Sequence, residues 1–447
     1  MQVHFALARS ERLSPLVASR IAAYGAVALY EGMLGGSPSL RSLAGQLNGL
    51  DSLPAPARGQ KYDWPIVAIS AERDVLAALL SEGLANTRLS IEAVADSQIT
   101  SRVSTGISSN VRDASVAYGS SLAAAIIGWA AKDGFSPTRD LAYAPPAGRQ
   151  YWVNTSTPDQ YIPQSLSAAS DFVALDNPAA VIDPGSSSER ALLMNRPRNR
   201  STKALTAINP TRALEPHWGT LRPFVLASGD RCAPPAPAPY SEEPSSEFFR
   251  EGKAVYDATR NLSVEQRQIA FFWADTPGQT GTPAGHWLSI VGKLVTDLSL
   301  SPDSAVEVYA LTTIAIADAF ISCWRTKYLW NVVRPVTYIR RTFDPEWRPL
   351  IVTPPFPEYT SGHSTLSAAA AAVLADRLGE RAFTDDTQGP LGHAPRRFDS
   401  FSEAAGQAAA SRLYGGIHYP MAIDNGLAQG RCVGKSVLSR VVTRRKS

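Results

Sequence analysis

The sequence predicts an all-α protein made of two helical bundles that share a core, with a long Pro-rich irregular excursion between its N- and C-terminal helical regions. Three observations carry that expectation. Apolar residues recur at helical spacing over most of the 447 residues. Few segments alternate apolar and polar residues as a half-buried strand does, and no internal repeat divides the chain. A composition of 44% hydrophobic and 19% charged residues is that of an ordinary soluble globular protein, which excludes disorder for most of the chain.

The N-terminal region, 1–133, holds SRIAAYGAVALYEGM, SAERDVLAALLSEGLA and VAYGSSLAAAIIGWAAK, rich in Ala, Leu and Ile at helical spacing. Three or four helices are expected between about 13 and 131. The texture changes over 134–245, where 16 of the 33 prolines fall, CAPPAPAPY among them. Proline at that density prevents long helices, so the segment reads as an excursion with short elements wrapped over the helices. Helical periodicity returns over 246–447, in EEPSSEFFREGKAVYDATR, VEQRQIAFFWAD, GHWLSIVGKLVTDL, the 304–331 stretch, STLSAAAAAVLADRLG, SFSEAAGQAAASRLY and GLAQGRCVGKSVLSRVV.

A net charge of +3 with no block of like charges argues against a nucleic-acid surface. The most apolar window, AVEVYALTTIAIADAFISCW, contains Glu307 and Asp318 and reads as a core helix, not a membrane span. The start, MQVHFALARSERLSP, lacks the basic, apolar and small-residue parts of a leader. Either the protein is not exported, or an exported or periplasmic form has lost its leader. Cys232, Cys323 and Cys432 are isolated and odd in number, offering neither a disulfide framework nor a thiolate metal site. Buried apolar cysteines are expected.

Three segments carry chemistry. In KYLWNVVRP, Lys327 and Arg334 are seven positions apart, about two helical turns, so both would point to one side before Pro335 stops the helix. In PPFPEYTSGHSTLSAAAA, Ser361, Gly362 and His363 stand at a helix N-terminus, where unpaired N–H groups attract an anion and the absent side chain of Gly362 lets it approach. In AAASRLYGGIHYPMAIDNG, Arg412 closes a helix, Gly415 and Gly416 turn the chain, and His418 precedes Pro420 at the next helix start. Each fragment alone has an ordinary structural explanation in capping and dipole complementarity. Together they supply three cations, a backbone nest and two histidines without a matching carboxylate cluster, which suits a highly charged tetrahedral oxyanion.

K-x6-RP, then SGH, then SR-x5-H resembles the signature of the vanadium-dependent haloperoxidase and type 2 phosphatidate phosphatase superfamily. Likeness to its soluble bacterial haloperoxidase branch extends through ASRIAAYGAVALYEGM, HWGTLRPFVLASGD, FFWADTPGQTGTPAGHW, IADAFISCWRTKYLWNVVRPVT and FPEYTSGHSTLSAAAA, with about 150 to 205 the least familiar stretch. The resemblance implies an all-α fold and vanadate as cofactor, a site that phosphate could also occupy. Lys327, Arg334 and Arg412 would bind oxyanion oxygens with Ser361 and the Gly362 amide. His363 would be the general acid–base, Lys327 would assist catalysis, and His418 would be the apical ligand of vanadate or, in a phosphatase, the nucleophile.

Two departures stand out: Thr360 where the family usually has Pro, and Ala422 where it commonly has an Asp four residues after the apical His. Asp424 is two residues too far, so either a local irregularity returns it to His418 or another acceptor fixes the imidazole. Asp318, in an apolar run, needs a partner, for which Arg325 is a candidate. Glu358 could hydrogen-bond near His363 or simply be exposed, exposure being the expectation, and His286 resembles a position often His in this branch, with no chemical role assigned. His4, His217 and His393 fall outside the constellation.

The resulting expectation is a haloperoxidase oxidising halide with hydrogen peroxide. The alternatives are an acid phosphatase acting on phosphomonoesters and a helical scaffold that only binds oxyanions. No nucleic-acid partner is expected, and an oligomer is compatible with the sequence.

Overall fold

A computed structural model describes residues 2–156 and 212–445. The N-terminal region forms α1 (Gln2–Ser10), α2 (Pro15–Met33), α3 (Trp64–Leu79), α4 (Ala85–Val103) and α5 (Ser109–Ala130). Starts are set by side-chain caps: Ser14, Asp63 and Ser108 accept from the N–H groups of Val17, Ile66 and Val111, with proline in the first turn of α2 and α3. Helices α2 and α3 approach closely because Gly32 has no side chain; a Cβ there would lie 2.4 Å from the Ala68 Cα.

The C-terminal region forms α6 (Glu247–Arg260), α7 (Val264–Phe272), α8 (Thr282–Asp297), α9 (Pro302–Trp330), α10 (Pro335–Thr342), α11 (Gly362–Leu378), α12 (Phe401–Tyr414) and α13 (Pro420–Arg440). Between α11 and α12, β1 (Phe383–Asp385) pairs antiparallel with β2 (Arg396–Phe398), Asp385 opposite Arg396. Three residues per strand are too few to leave a period in the sequence. Helix α9 packs against α2 on one side and against α11 and α13 on the other. Its most apolar window is 94% buried, so this helix is the core that the two sets of helices share.

The described ends of the 134–245 excursion lie against α9, where Trp324 and Tyr328 donate to the Leu214 carbonyl, and against the stretch that follows it. Trp152 N–H donates to the Asn331 carbonyl, Val333 N–H to that of Gln150, and Leu214 N–H to that of Pro355. The expectation for its centre concerns 157–211, outside the described residues. Asp318 is satisfied here, but not by Arg325 as the sequence suggested. Its carboxylate accepts from the backbone N–H groups of Phe224, Val225 and Leu226, while Arg325 pairs with Asp230. Three backbone donors meet the need of a buried carboxylate as well as a cation does. Burial still raises the Asp318 carboxyl to about 6.

The cysteine expectation is corrected too. Cys232 and Cys432 form a disulfide across 200 positions, fastening the Pro-rich segment to α13, and Cys323 alone is a free, buried thiol. Spacing could not reveal the bond, because the two cysteines meet only through tertiary packing.

Candidate active site

The first cations reach the site by a different route from the one their spacing suggested. Helix α9 ends at Trp330, and Asn331, at φ 50°, turns the chain in the left-handed conformation that terminates helices. Arg334 is therefore not on α9; it is extended, at φ −75° and ψ 151°, and precedes α10 with Pro335 in its first turn. The two cations nevertheless converge on one ring: Lys327 Nζ lies 5.0 Å and Arg334 Cζ 4.8 Å from the centroid of Phe356. Lys327 donates to the carbonyls of Pro357 and Glu358, Arg334 to those of Phe356 and Ile417.

Ser361 caps α11 as expected, accepting from Ser364 N–H, while its own N–H donates to the Ala422 carbonyl. A Cβ on Gly362 would meet nothing closer than the Trp324 ring at 3.5 Å. The protein's own packing does not demand glycine there. His363 follows in the first turn, its Nε2 out of contact with solvent and without a hydrogen-bond partner. Arg412, in the last turn of α12, is buried and donates to the carbonyls of Ala270 and Trp273. Gly416, at φ 75°, completes the turn that delivers His418 ahead of α13.

Geometry defines the His418 tautomer. Arg334 Nη1 lies 3.3 Å from His418 Nε2, and a guanidinium can only donate, so Nε2 is the acceptor. The ring proton is on Nδ1, 2.8 Å from Glu358 Oε1, which also accepts from Tyr419 N–H. Glu358 is thus fully buried and is the partner of His418, not the surface residue the sequence suggested. Asp424 is exposed and takes no part in this contact. Ala422 is buried in an apolar cluster with Tyr419 and Tyr359, so the carboxylate arrives from the segment before α11.

Burial pushes the Lys327 ammonium down to about 7 and the Arg412 guanidinium down to about 10; the Arg334 charge adds to the effect on Lys327. Burial also holds His418 well below the usual imidazole range, reinforced by Arg334, Lys327 and Arg412. His363 is lowered for the same reasons, burial first and then Arg412, His286 and Lys327. Glu358 moves up through burial, opposed by Arg334 and Lys327. The site is a buried cluster of cations around two neutral imidazoles, short of anionic charge.

Of the remaining residues singled out from sequence, Asp318 lies against the Pro-rich segment, apart from the cations' hydrogen bonds. His286 is buried between Asp275 and Asp385, beside His363. Sequence reasoning missed Phe356, Asp275, Asp385 and Gln388. The first two stand inside quoted stretches, PPFPEYTSGHS and FFWADTPG, but an isolated Phe or Asp carries no spacing signal.

Comparison with known proteins gives a consistent picture. Residues 307–446 match the family model described as the VCPO second helical-bundle domain. No curated protein matches the chain. Among solved structures, a bacterial vanadium-dependent iodoperoxidase is 34% identical, with a TM-score of 0.81 over 100% of this chain and 95% of its own. A bacterial vanadium-dependent chloroperoxidase in its apo form matches at 14% identity and TM-score 0.65, over 96% of this chain and 94% of its own. The holo form gives 15% and 0.61, over 96% and 93%. At that identity these last two speak for the shared fold.

Proposed function

The chain belongs to the vanadium-dependent haloperoxidase family, and we propose that it binds vanadate and oxidises halide with hydrogen peroxide to hypohalous acid. One observation carries the reading to this chain's own residues: His418 Nε2 keeps an unprotonated lone pair among the buried cations Lys327, Arg334 and Arg412. The residues fit the cofactor. Among the described residues Lys327 donates to backbone carbonyls alone, Arg412 to two carbonyls and the Ser411 hydroxyl, all of them neutral acceptors, and the position of Gly362 is one that packing leaves free to carry a side chain. An oxyanion supplies what such a site lacks.

In this reading His418 Nε2 would be the protein ligand that holds vanadate. Lys327, Arg334, Arg412, Ser361 and the Gly362 amide would hold its oxygens by charge-assisted hydrogen bonds. Glu358 fixes the His418 ring through Nδ1 and so keeps Nε2 unprotonated, as a ligand must be. When bound, vanadate acts as a Lewis acid that polarises hydrogen peroxide without changing oxidation state. Lys327 adds positive charge where negative charge develops. His363 takes and returns protons beside the bound oxidant, for which a neutral resting imidazole is suited.

A site built for a vanadate-like oxyanion would also be complementary to the transition state of phosphoryl transfer, so the test compares both activities on one preparation. Bromide and iodide oxidation with peroxide is measured after vanadate loading, and phosphomonoester hydrolysis without vanadate. Halide oxidation that requires vanadate is expected. Phosphate release with no halide oxidation at any vanadate concentration reverses the reading to a phosphatase with His418 as nucleophile.

A further inference from the structure

Behind the helix start at Ser361 and Gly362 lies a buried polar cluster that the function above does not use. Thr360 Oγ1 donates to Gln429 Oε1 at 2.6 Å, and Gln429 Nε2 donates to Ser322 Oγ at 2.9 Å and to Thr326 Oγ1 at 3.2 Å. One hydroxyl fixes these directions. Thr326 gives its side-chain proton to the Ser322 carbonyl, so toward Gln429 it can only accept. The NH2 side of the amide therefore faces helix α9, and Oε1 faces Thr360, whose hydroxyl must donate. Ser322, Thr326, Thr360 and Gln429 are all buried, and the amide donates twice and accepts once.

A buried amide costs free energy that is offset only when its hydrogen bonds are made. Adhesion of α13 to its neighbours does not call for one. Helix α13 already lies against α11 through Gly426, where a Cβ would stand 2.9 Å from Ser364 Cβ and 3.0 Å from the Ser361 carbonyl oxygen. The amide instead joins parts of the site at one point: Thr326 precedes Lys327 on α9, Thr360 precedes Ser361, and α13 begins just after His418. Thr360 is also one of the two departures from the resembling signature, which usually has Pro there. Proline fixes its own φ, whereas threonine leaves the backbone before Ser361 to be held from outside. The Thr360 carbonyl accepts from the Cys323 thiol at 3.5 Å, a weak donor, so the hydroxyl's bond to Gln429 is the firmer hold.

We propose that Gln429 is a positioning residue for the oxyanion site: through Thr360 it holds the Ser361 hydroxyl and the Gly362 amide in a fixed place relative to Lys327. The inference deepens the haloperoxidase reading and rests on it for the identity of the bound oxyanion. Ser361 Oγ accepts from Ser364 N–H, which leaves its own proton to donate to an oxygen of the ligand. Donors of this kind act over a narrow range, about 2.7–3.2 Å, so a shift of the Thr360 backbone relative to α9 weakens them together. The same shift leaves the cap of α11 and the bond from Ser361 N–H to the Ala422 carbonyl in place. Loss of the tether therefore lowers oxyanion affinity in a chain that still folds.

The test measures inorganic phosphate binding to the vanadate-free full chain by calorimetry, and vanadate binding by equilibrium dialysis, beside the urea unfolding of each variant. Gln429→Leu removes the amide at similar volume, Thr360→Val removes the hydroxyl alone, and Thr360→Ser keeps it. Gln429→Leu and Thr360→Val are each expected to weaken oxyanion binding about 10–100-fold, the range for a partner one step behind a ligand. Thr360→Ser should bind as wild type does, although its lost methyl lowers stability. The double variant of Gln429→Leu and Thr360→Val should bind no more weakly than the weaker single, because both remove the same hold. Unchanged affinity in Gln429→Leu and Thr360→Val, with stability alone reduced, overturns the proposal and leaves a structural amide. Equal weakening by Thr360→Ser and Thr360→Val overturns it too, since the hydroxyl is then not what holds the backbone. Should Gln429→Leu fail to fold, the two Thr360 variants decide. Absence of halide oxidation in wild type, with the phosphate results as expected, removes the haloperoxidase reading and keeps the role of Gln429.

Discussion

Glu358 Oε1 lies 2.8 Å from His418 Nδ1, and this contact defines which imidazole nitrogen is available to a ligand. A buried carboxylate holding the far side of a ligating histidine raises its basicity and locks its ring plane. Glu358 comes from the stretch before α11, so the two helix starts at Gly362 and Pro420 are joined through the site itself.

His418→Ala is expected to abolish vanadate loading, and Glu358→Ala to weaken it about 10–100-fold. Equilibrium dialysis against vanadate measures both. Near-wild-type loading of His418→Ala removes the apical assignment.

Arg334→Ala and Arg412→Ala should each reduce oxyanion affinity by about 1.5–3 kcal/mol, the scale of charge-assisted hydrogen bonds. Lysine at either position should recover part of the loss, since the planar fork is missing. Phosphate or vanadate titration by calorimetry reads the difference; an alanine variant that binds fully lies outside the site.

His363→Ala should retain vanadate, because the cations and His418 remain, yet lose halide oxidation by about 10²–10⁴-fold. Steady-state rates on dialysed, vanadate-loaded enzyme check this. A loss below about tenfold counts against proton transfer by this residue.

Lys327 gives a pH signature in the vanadate-free protein. Its folded value, about 7, lies below its ordinary 10.5, so between those limits the unfolded chain binds more protons than the folded one. The cost of charging the buried ammonium is complete below pH 7 and fades as pH rises toward 10.5. Wild type should therefore gain in Tm relative to Lys327→Met as pH is raised above 7. A constant difference across that window would mean that Lys327 stays charged.

Reducing the Cys232–Cys432 bond, or replacing Cys232 by Ser, should cost about 2–5 kcal/mol of unfolding free energy, as for other long loops. Urea denaturation with and without reductant provides the comparison. Coincident curves would show the link to be energetically idle.

The helices were legible because each carries its own period and cap, and the residues of the candidate oxyanion site could be singled out because three short segments keep their internal spacing. Lys327 and Arg334 show the limit of that reading: spacing brought them together on one helix, whereas Asn331 ends the helix and Phe356 reunites them. Glu358, Asp275 and Asp385 were opaque for a different reason. A buried carboxylate looks like a surface one in sequence, since only its partner, often 60 or more positions away as His418 is from Glu358, distinguishes them. Cys232 and Cys432 illustrate the same rule for a covalent pair.

That disulfide has a topological consequence. Every residue assigned here to the oxyanion site, together with Glu358 and the Asp275–His286–Asp385 chain, falls between positions 232 and 432 and so lies on one closed covalent loop. A protease that nicks the backbone once anywhere on that loop opens the circle without releasing a fragment. The cut ends stay tethered through sulfur, and the catalytic apparatus remains a single molecule until a reductant arrives.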